Sequence, residues 1–178
     1  MSNRTKTYIA GDWDGDSDAI TQLHKWNDSS YWGLHFVDVH ELTSSKDYSL
    51  NCSIKSSLRQ RMKISKTFVL IVGEETNTVR SGSCSYCLFN NSQGLLCSKD
   101  KFKDNRSYVQ FECDLAKKAY DEGNIKIVVL YNSTVVKRGL CPEVIRWIGT
   151  HAAMKHRVDN YYGSYIDWDY PTVKNAIK

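Results

Sequence analysis

The sequence lacks the long apolar segments that mark membrane proteins and exported precursors. No stretch approaches the roughly 18 consecutive apolar residues of a membrane-spanning helix. The N-terminal segment MSNRTKTYIAGDWDG also lacks the apolar core of a signal peptide. We therefore expect a cytoplasmic protein with no membrane partner.

Clustered basic charge is lacking as well. The chain has 24 lysines and arginines against 20 acidic residues, and its formal net charge of +4 is scattered along the sequence. Proteins that bind nucleic acids concentrate basic side chains on one face. We therefore expect no nucleic-acid partner.

Paired metal-binding motifs are scarce, although the chain has six cysteines. Because the chain has no secretory signal, we expect these cysteines to be free thiols or metal ligands rather than disulfides. Cys84 and Cys87 form a single C-x-x-C motif, and Cys97 follows it with nine residues between. The histidines show no ligand spacing. We assign no metal, and two alternatives stay open for Cys84, Cys87 and Cys97: free thiols, or zinc ligands completed by Cys52, Cys113 or Cys141.

What the sequence does contain is a regular alternation of apolar runs and amphipathic segments. This alternation is typical of an α/β fold built on a parallel sheet. At 178 residues and 41% hydrophobic content, the chain is expected to form one domain over residues 1–178. The predicted strands lie near 6–11, 34–38, 66–72, 126–131 and 150–154. The predicted helices cover 16–27, 49–65, 108–122 and 170–178, with a short one from Pro142 to Trp147. A long connection predicts an insertion at about 77–106.

Candidate binding residues follow three of the predicted strands. In an open parallel sheet, ligands bind outside the carboxyl ends of the strands, where loops and helix N-termini converge. Asp12, Trp13 and Asp14 follow the first strand, Asp38 ends the second, and residues 73–76 follow the third. These residues are expected at the same edge of the sheet.

Glu112 is placed unusually on its predicted helix. Tyr108, Phe111, Leu115 and Ala119 define the apolar stripe of that helix, and Glu112 falls inside the stripe. A carboxylate in such a place is partly desolvated and needs a partner or a role. Two interpretations remain open here: a functional carboxylate, or a structural one favoured by the helix dipole or by a neighbouring arginine.

The segment DWDGD suggests two further chemistries. A calcium-binding EF-hand loop is excluded, because its sixth and twelfth positions would be Ser17 and Leu23. A strand that ends in D-x-D-G resembles the first motif of magnesium-dependent haloacid-dehalogenase-type phosphatases, with Asp12 as nucleophile. That family has Ser or Thr after the next core strand, where this chain has Gly73. The third interpretation is turn chemistry, with Asp16 capping the next helix.

Four motifs together resemble the TIR-like family that includes Thoeris antiphage-defence TIR proteins. They are Y-I-A-x-D-x-D at 8–14, G-E-x-T at 73–76, Y-V-x-F-E at 108–112 and C-P-x-x-I-R at 141–146. The resemblance implies a flavodoxin-like three-layer sandwich, whose five parallel strands have the order 2-1-3-4-5.

The resemblance also implies an activity and a set of site residues. TIR enzymes of this kind cleave the nicotinamide–ribose bond of NAD, and some cyclise the product into a messenger. Glu112 matches the catalytic glutamate of the family, and NAD is then a substrate with no separate cofactor. Trp13 would stack on nicotinamide, Asp12 would bind it by hydrogen bonds, and Asp38 with residues 39–48 would border the rest of the nucleotide. The remaining residues implied to bind substrate are Asp14, Gly73, Thr76 and Tyr108.

The same resemblance leaves a second function open. Many TIR-like domains act as scaffolds that pass a signal through homotypic TIR–TIR contacts without catalysis. The sequence does not identify an effector protein. It therefore predicts either a NAD-consuming signalling enzyme or a TIR-like interaction module.

Overall fold

Five parallel strands form the central sheet of the computed structural model, which describes residues 5–39, 50–90, 94–98 and 102–178. The strand order is β2-β1-β3-β4-β5, and each neighbouring pair is parallel. The predicted order and the interior position of β1 are thus confirmed. The strands are β1 (Thr5–Ala10), β2 (Phe36–Asp38), β3 (Thr67–Val72), β4 (Lys126–Tyr131) and β5 (Thr150–Ala153).

In the residues that the structure describes, four helices cover the two faces of this sheet, close to where the apolar periodicity predicts them. In the third helix, Ser107 and Gln110 form a capping box, and Gly123, with φ of +71°, follows its end. The helices are α1 (Ser17–Asp28), α2 (Asn51–Ile64), α3 (Tyr108–Asp121) and α4 (Tyr170–Ile177).

The core consists of two apolar layers, one on each face of the sheet. Successive side chains of a strand point to opposite faces, and every residue of β3 is buried. On one face, Phe68 packs with α2 and α3. On the other face, Val69 packs with α1 and α4. This three-layer arrangement explains why the core strands read as continuous apolar runs.

An antiparallel hairpin that the sequence analysis did not predict follows β5. Its strands are β6 (Lys155–Asn160) and β7 (Gly163–Trp168), which pair from Lys155 with Trp168 to Asn160 with Gly163. Most of its residues are exposed. Because neither strand carries an apolar run, the signal that predicted the core strands is missing here.

The chain between β3 and α3, where an insertion was predicted, contains one 3₁₀ turn at Cys84–Tyr86. Another 3₁₀ turn, at Glu143–Ile145, replaces the predicted helix that was to reach Trp147. Within the described ranges, each helix falls short of the length and apolar character needed to cross a membrane.

Candidate functional site

A pocket opens beyond the carboxyl end of β1. Beside this strand the chain switches sides, because β2 lies on one side of β1 and β3 on the other. Such switch points are the usual ligand sites of open parallel sheets. The pocket has a volume of about 310 Å³. Its walls come from the β1–α1 loop (Gly11, Asp12, Trp13, Asp14), α2 (Ile54, Leu58, Arg61), the segment after β3 (Val79, Ser81) and α3 (Tyr108, Val109, Glu112).

Glu112 lies at the buried end of this pocket. It is only 5% exposed, and its Oε1 accepts a hydrogen bond of 2.6 Å from the Tyr8 hydroxyl. Burial raises the pKa of Glu112 to about 7, while the Tyr8 hydrogen bond and the charge of Arg61 oppose that rise. Near neutral pH, this carboxyl group can therefore be present in either protonation state.

Arg61 and Lys55 are buried, although basic side chains on an amphipathic helix usually face solvent. Arg61 follows Ile54 by seven positions and Leu58 by three, so it shares their face of α2. The spacing indicates that Arg61 is buried, whereas the many basic residues of this helix suggest that it is exposed. Arg61 therefore supplies a positive charge to the pocket that contains Glu112.

The β1–α1 loop is held by a turn around Asp12. Asp12 Oδ1 accepts a hydrogen bond of 3.2 Å from the Asp14 amide, and the Asp12 carbonyl accepts one of 2.8 Å from the Asp16 amide. Trp13 is 48% exposed, so part of its ring is accessible to a ligand. The turn thus presents Asp12 and Trp13 at the mouth of the pocket.

The Asp16 side chain was predicted to cap α1, and it does not do so. It occupies the N-cap position, but no cap hydrogen bond forms there. Instead, its Oδ1 accepts a hydrogen bond of 3.0 Å from Asn132 Nδ2, beyond the end of β4. Burial raises the pKa of Asp16, and Asn132 opposes the rise. Asp16 therefore joins two loops at the sheet edge rather than closing a helix.

Tyr108 forms a fixed wall of the pocket. Its amide donates a hydrogen bond of 2.8 Å to the Ser81 carbonyl, and its hydroxyl donates one of 2.9 Å to Asn51 Oδ1. Its ring packs against Gly82, which has φ of +90° and where a Cβ atom would come within 2.5 Å of the ring. The close approach and the positive φ both require glycine at this position.

Three predicted site residues are not part of the pocket wall. Asp38 is buried at the end of β2, where its Oδ2 lies 3.3 Å from His24 Nε2. The Gly73 amide donates a hydrogen bond of 2.8 Å to Thr76 Oγ1, which closes a turn after β3. Of the predicted loop 39–48, residues 40–48 lie outside the described residues.

A larger cavity, of about 420 Å³, lies between α2 and α3 at the opposite edge of the sheet. It is lined by residues such as Lys66 and Ile125, next to the starts of β3 and β4. This cavity lies at the amino ends of those strands, whereas ligands of open parallel sheets bind outside the carboxyl ends, so we place the candidate site at the Glu112 pocket.

The comparison with known families agrees with this architecture. Residues 8–81 match the family described as Thoeris protein ThsB, TIR-like domain. This segment includes the second half of β1, all of β2 and β3, and the β1–α1 loop. No curated protein matches the chain. Together with the strand order, the match supports the presence of a TIR-like domain related to that of the Thoeris protein ThsB.

Proposed function

We propose that the protein cleaves the nicotinamide–ribose bond of NAD, with Glu112 as the catalytic residue. The observation that carries this proposal is a buried carboxyl group that lines a pocket at the switch point of the sheet. A buried carboxyl group with a strongly raised pKa in such a pocket is typical of a functional site. The pocket volume of about 310 Å³ suits the nicotinamide riboside end of a dinucleotide.

The reaction breaks one bond and develops charge at one atom. As the bond from ribose C1 to nicotinamide breaks, its electron pair leaves with the nicotinamide, which becomes neutral. The ribose is left with oxocarbenium character. An ionised Glu112 stabilises this charge, and it does so more strongly in a buried site than it would in water. Water then attacks C1 and loses a proton to give ADP-ribose, or a nucleophile of the same ADP-ribose group attacks to give a cyclic product.

The other residues of the pocket position the substrate. The half-exposed ring of Trp13 stacks on nicotinamide, and the Asp12 and Asp14 carboxylates accept hydrogen bonds from the carboxamide or the ribose. Arg61 provides a guanidinium group that suits a phosphate of the dinucleotide. Tyr108 forms the side wall, while Asp38, Gly73 and Thr76 lie outside the pocket wall and support the neighbouring strand ends.

The direct test is to incubate the purified protein with NAD, both concentrated and with a crowding agent, and to separate the products by chromatography. We expect more nicotinamide than protein, which requires turnover. The mass of the second product distinguishes ADP-ribose from a cyclic product, which contains one water fewer. Absence of nicotinamide under both conditions would contradict the proposal. A cyclic product would suit a signalling role, in which it carries the signal to a separate effector in the cytoplasm.

A second candidate function is a non-catalytic scaffold that self-associates through TIR–TIR contacts. The observation that favours it is the tip of the β6–β7 hairpin, where Tyr161 and Tyr162 are 97% and 94% exposed. Adjacent exposed aromatic side chains are characteristic of contact surfaces. The two candidates are separable, because a scaffold needs the hairpin and does not need Glu112.

A further inference from the structure

Four of the six cysteines line one small cavity between α2 and the segment that follows β3. They are Cys52 in the first turn of α2, Cys84 and Cys87 around the 3₁₀ turn, and Cys97 further along the segment. The cavity volume is about 20 Å³, which is room for one small ion. Apolar side chains, including Leu50, Phe89 and Phe102, form much of the remaining wall.

Backbone hydrogen bonds bring these four positions together. The Cys87 amide donates to the Cys84 carbonyl at 3.1 Å, which closes the turn of the C-x-x-C motif. The Ser98 amide donates to the Phe89 carbonyl at 3.0 Å and returns Cys97 to this turn. The side chain of Asn51 donates to the Ser83 carbonyl at 3.2 Å, which fixes the start of α2 beside the turn. The four cysteines therefore lie together because the backbone places them there, and not only because of their side-chain orientations.

The sulfur of Cys84 accepts a hydrogen bond from the segment that leads into α3. The Asp104 amide donates a hydrogen bond of 3.3 Å to Cys84 Sγ. The buried ammonium group of Lys55, on α2, donates hydrogen bonds to the same segment, of 3.0 Å to the Asp104 carbonyl and 2.7 Å to the Arg106 carbonyl. Amide donors and a nearby cation are the outer partners that stabilise metal-bound thiolates.

We propose that Cys52, Cys84, Cys87 and Cys97 bind one structural zinc ion, which fastens the segment between β3 and α3 to α2. In the described residues, no three ligand side chains stand close enough to hold an ion without moving. Binding therefore requires the thiols to close to Zn–S distances of about 2.3 Å in a tetrahedron. Each thiol releases its proton to solvent as its sulfur binds, and no oxidation state changes. The ion would hold in place the wall formed by Ser81 and Tyr108.

The first experiment measures metal in protein purified without chelators and kept under reductant. We expect about one zinc per chain, as for structural four-thiolate sites. Replacing the cysteines of the cavity with serine, one at a time, should abolish stoichiometric zinc. Cys113→Ala is the matched control, since Cys113 is a buried thiol that does not line this cavity, and it should keep the full zinc content.

The second experiment uses wild-type protein alone, so it does not depend on whether the variants fold. Cobalt added after zinc removal should give the thiolate-to-metal absorption and the strong visible bands of a tetrahedral site. Zinc should protect four thiols from maleimide and raise the melting temperature. Protein that contains no zinc, shows no such spectrum and gains no thiol protection would overturn the proposal. A disulfide between any two of these cysteines under reductant would also overturn it.

Discussion

The Tyr8 hydroxyl donates a hydrogen bond of 2.6 Å to Glu112 Oε1 in the interior of the domain, and it joins β1 to α3 across 104 positions of the chain. This bond favours the ionised carboxylate, whereas burial favours the neutral acid. Tyr8 therefore affects the protonation of Glu112 without itself facing the pocket.

Tyr8→Phe should raise the pKa of Glu112 further, because it removes a donor to the ionised form and preserves the packing of the ring. We expect the acid side of the pH–rate profile to move to higher pH. Stability should fall by about 1–3 kcal/mol, the usual cost of leaving a buried polar group without its partner. A lower melting temperature with an unmoved profile would show that Tyr8 is only structural.

Under the proposed chemistry, NAD cleavage by the wild-type protein should become faster as the pH rises through about 7. Burial raises the pKa of Glu112 to that value, and only the ionised carboxylate stabilises the oxocarbenium ion. The measurement is nicotinamide release at saturating NAD from pH 5.5 to 8.5, a range over which we test that stability is retained. A rate that is constant across this range would contradict the assignment of Glu112.

Glu112→Gln should lower the rate of NAD cleavage by about 100- to 1000-fold, which is typical for loss of one preorganised charge-stabilising group. Gln can still accept the hydrogen bond from Tyr8, so the fold and much of the NAD affinity should remain. Unchanged nicotinamide release in a folded variant would refute the catalytic role.

The same substitution has a pH-dependent effect on stability. The pKa of Glu112 is raised from 4.5 to about 7 in the folded state. Its contribution to the free energy of unfolding is therefore fully present below pH 4.5 and is lost as the pH rises through about 7. Gln does not titrate. The stability of Glu112→Gln relative to wild type should therefore increase between pH 5 and 8, by on the order of 3 kcal/mol. Denaturant titration at the two pH values measures this difference, and an unchanged difference would contradict the raised pKa.

Asp12→Ala should raise the KM for NAD more than it lowers kcat, because the proposed role of Asp12 is positioning. Alanine also removes the acceptor of the Asp14 amide. Asp12→Asn is the matched control, since its side-chain oxygen can still accept that hydrogen bond while its charge is lost. If both variants bind NAD as the wild type does, Asp12 has no part in the site.

If the scaffold hypothesis is correct, replacing Tyr161 and Tyr162 with serine should abolish self-association measured by sedimentation velocity. Tyr31→Ser serves as the control, because Tyr31 is also 83% exposed but does not belong to the hairpin. Equal sedimentation of the wild type and the hairpin variant would exclude this surface.

The sequence predicted the sheet well, because strands buried on both faces read as continuous apolar runs, and it predicted a desolvated Glu112 from helical spacing. It did not predict the hairpin, since polar alternation without a buried face carries a weak signal. The burial of Arg61 agrees with its spacing from Leu58, although the many basic residues of α2 suggest an exposed position. Asp38 was assigned to the site from its strand end alone, and such reasoning cannot measure distances along the sheet edge.

Similarity to the ThsB family ends at Ser81, before α3 begins. Tyr8 therefore lies inside the matched segment, and Glu112 lies outside it. Under the proposed chemistry, the matched segment supplies the β1–α1 loop of the pocket, and the catalytic carboxylate comes from a later stretch of the chain. A homologue could lose its carboxylate at this position and still be recognised as a member of the family. Sorting active from inactive relatives therefore requires inspection of α3 in each chain.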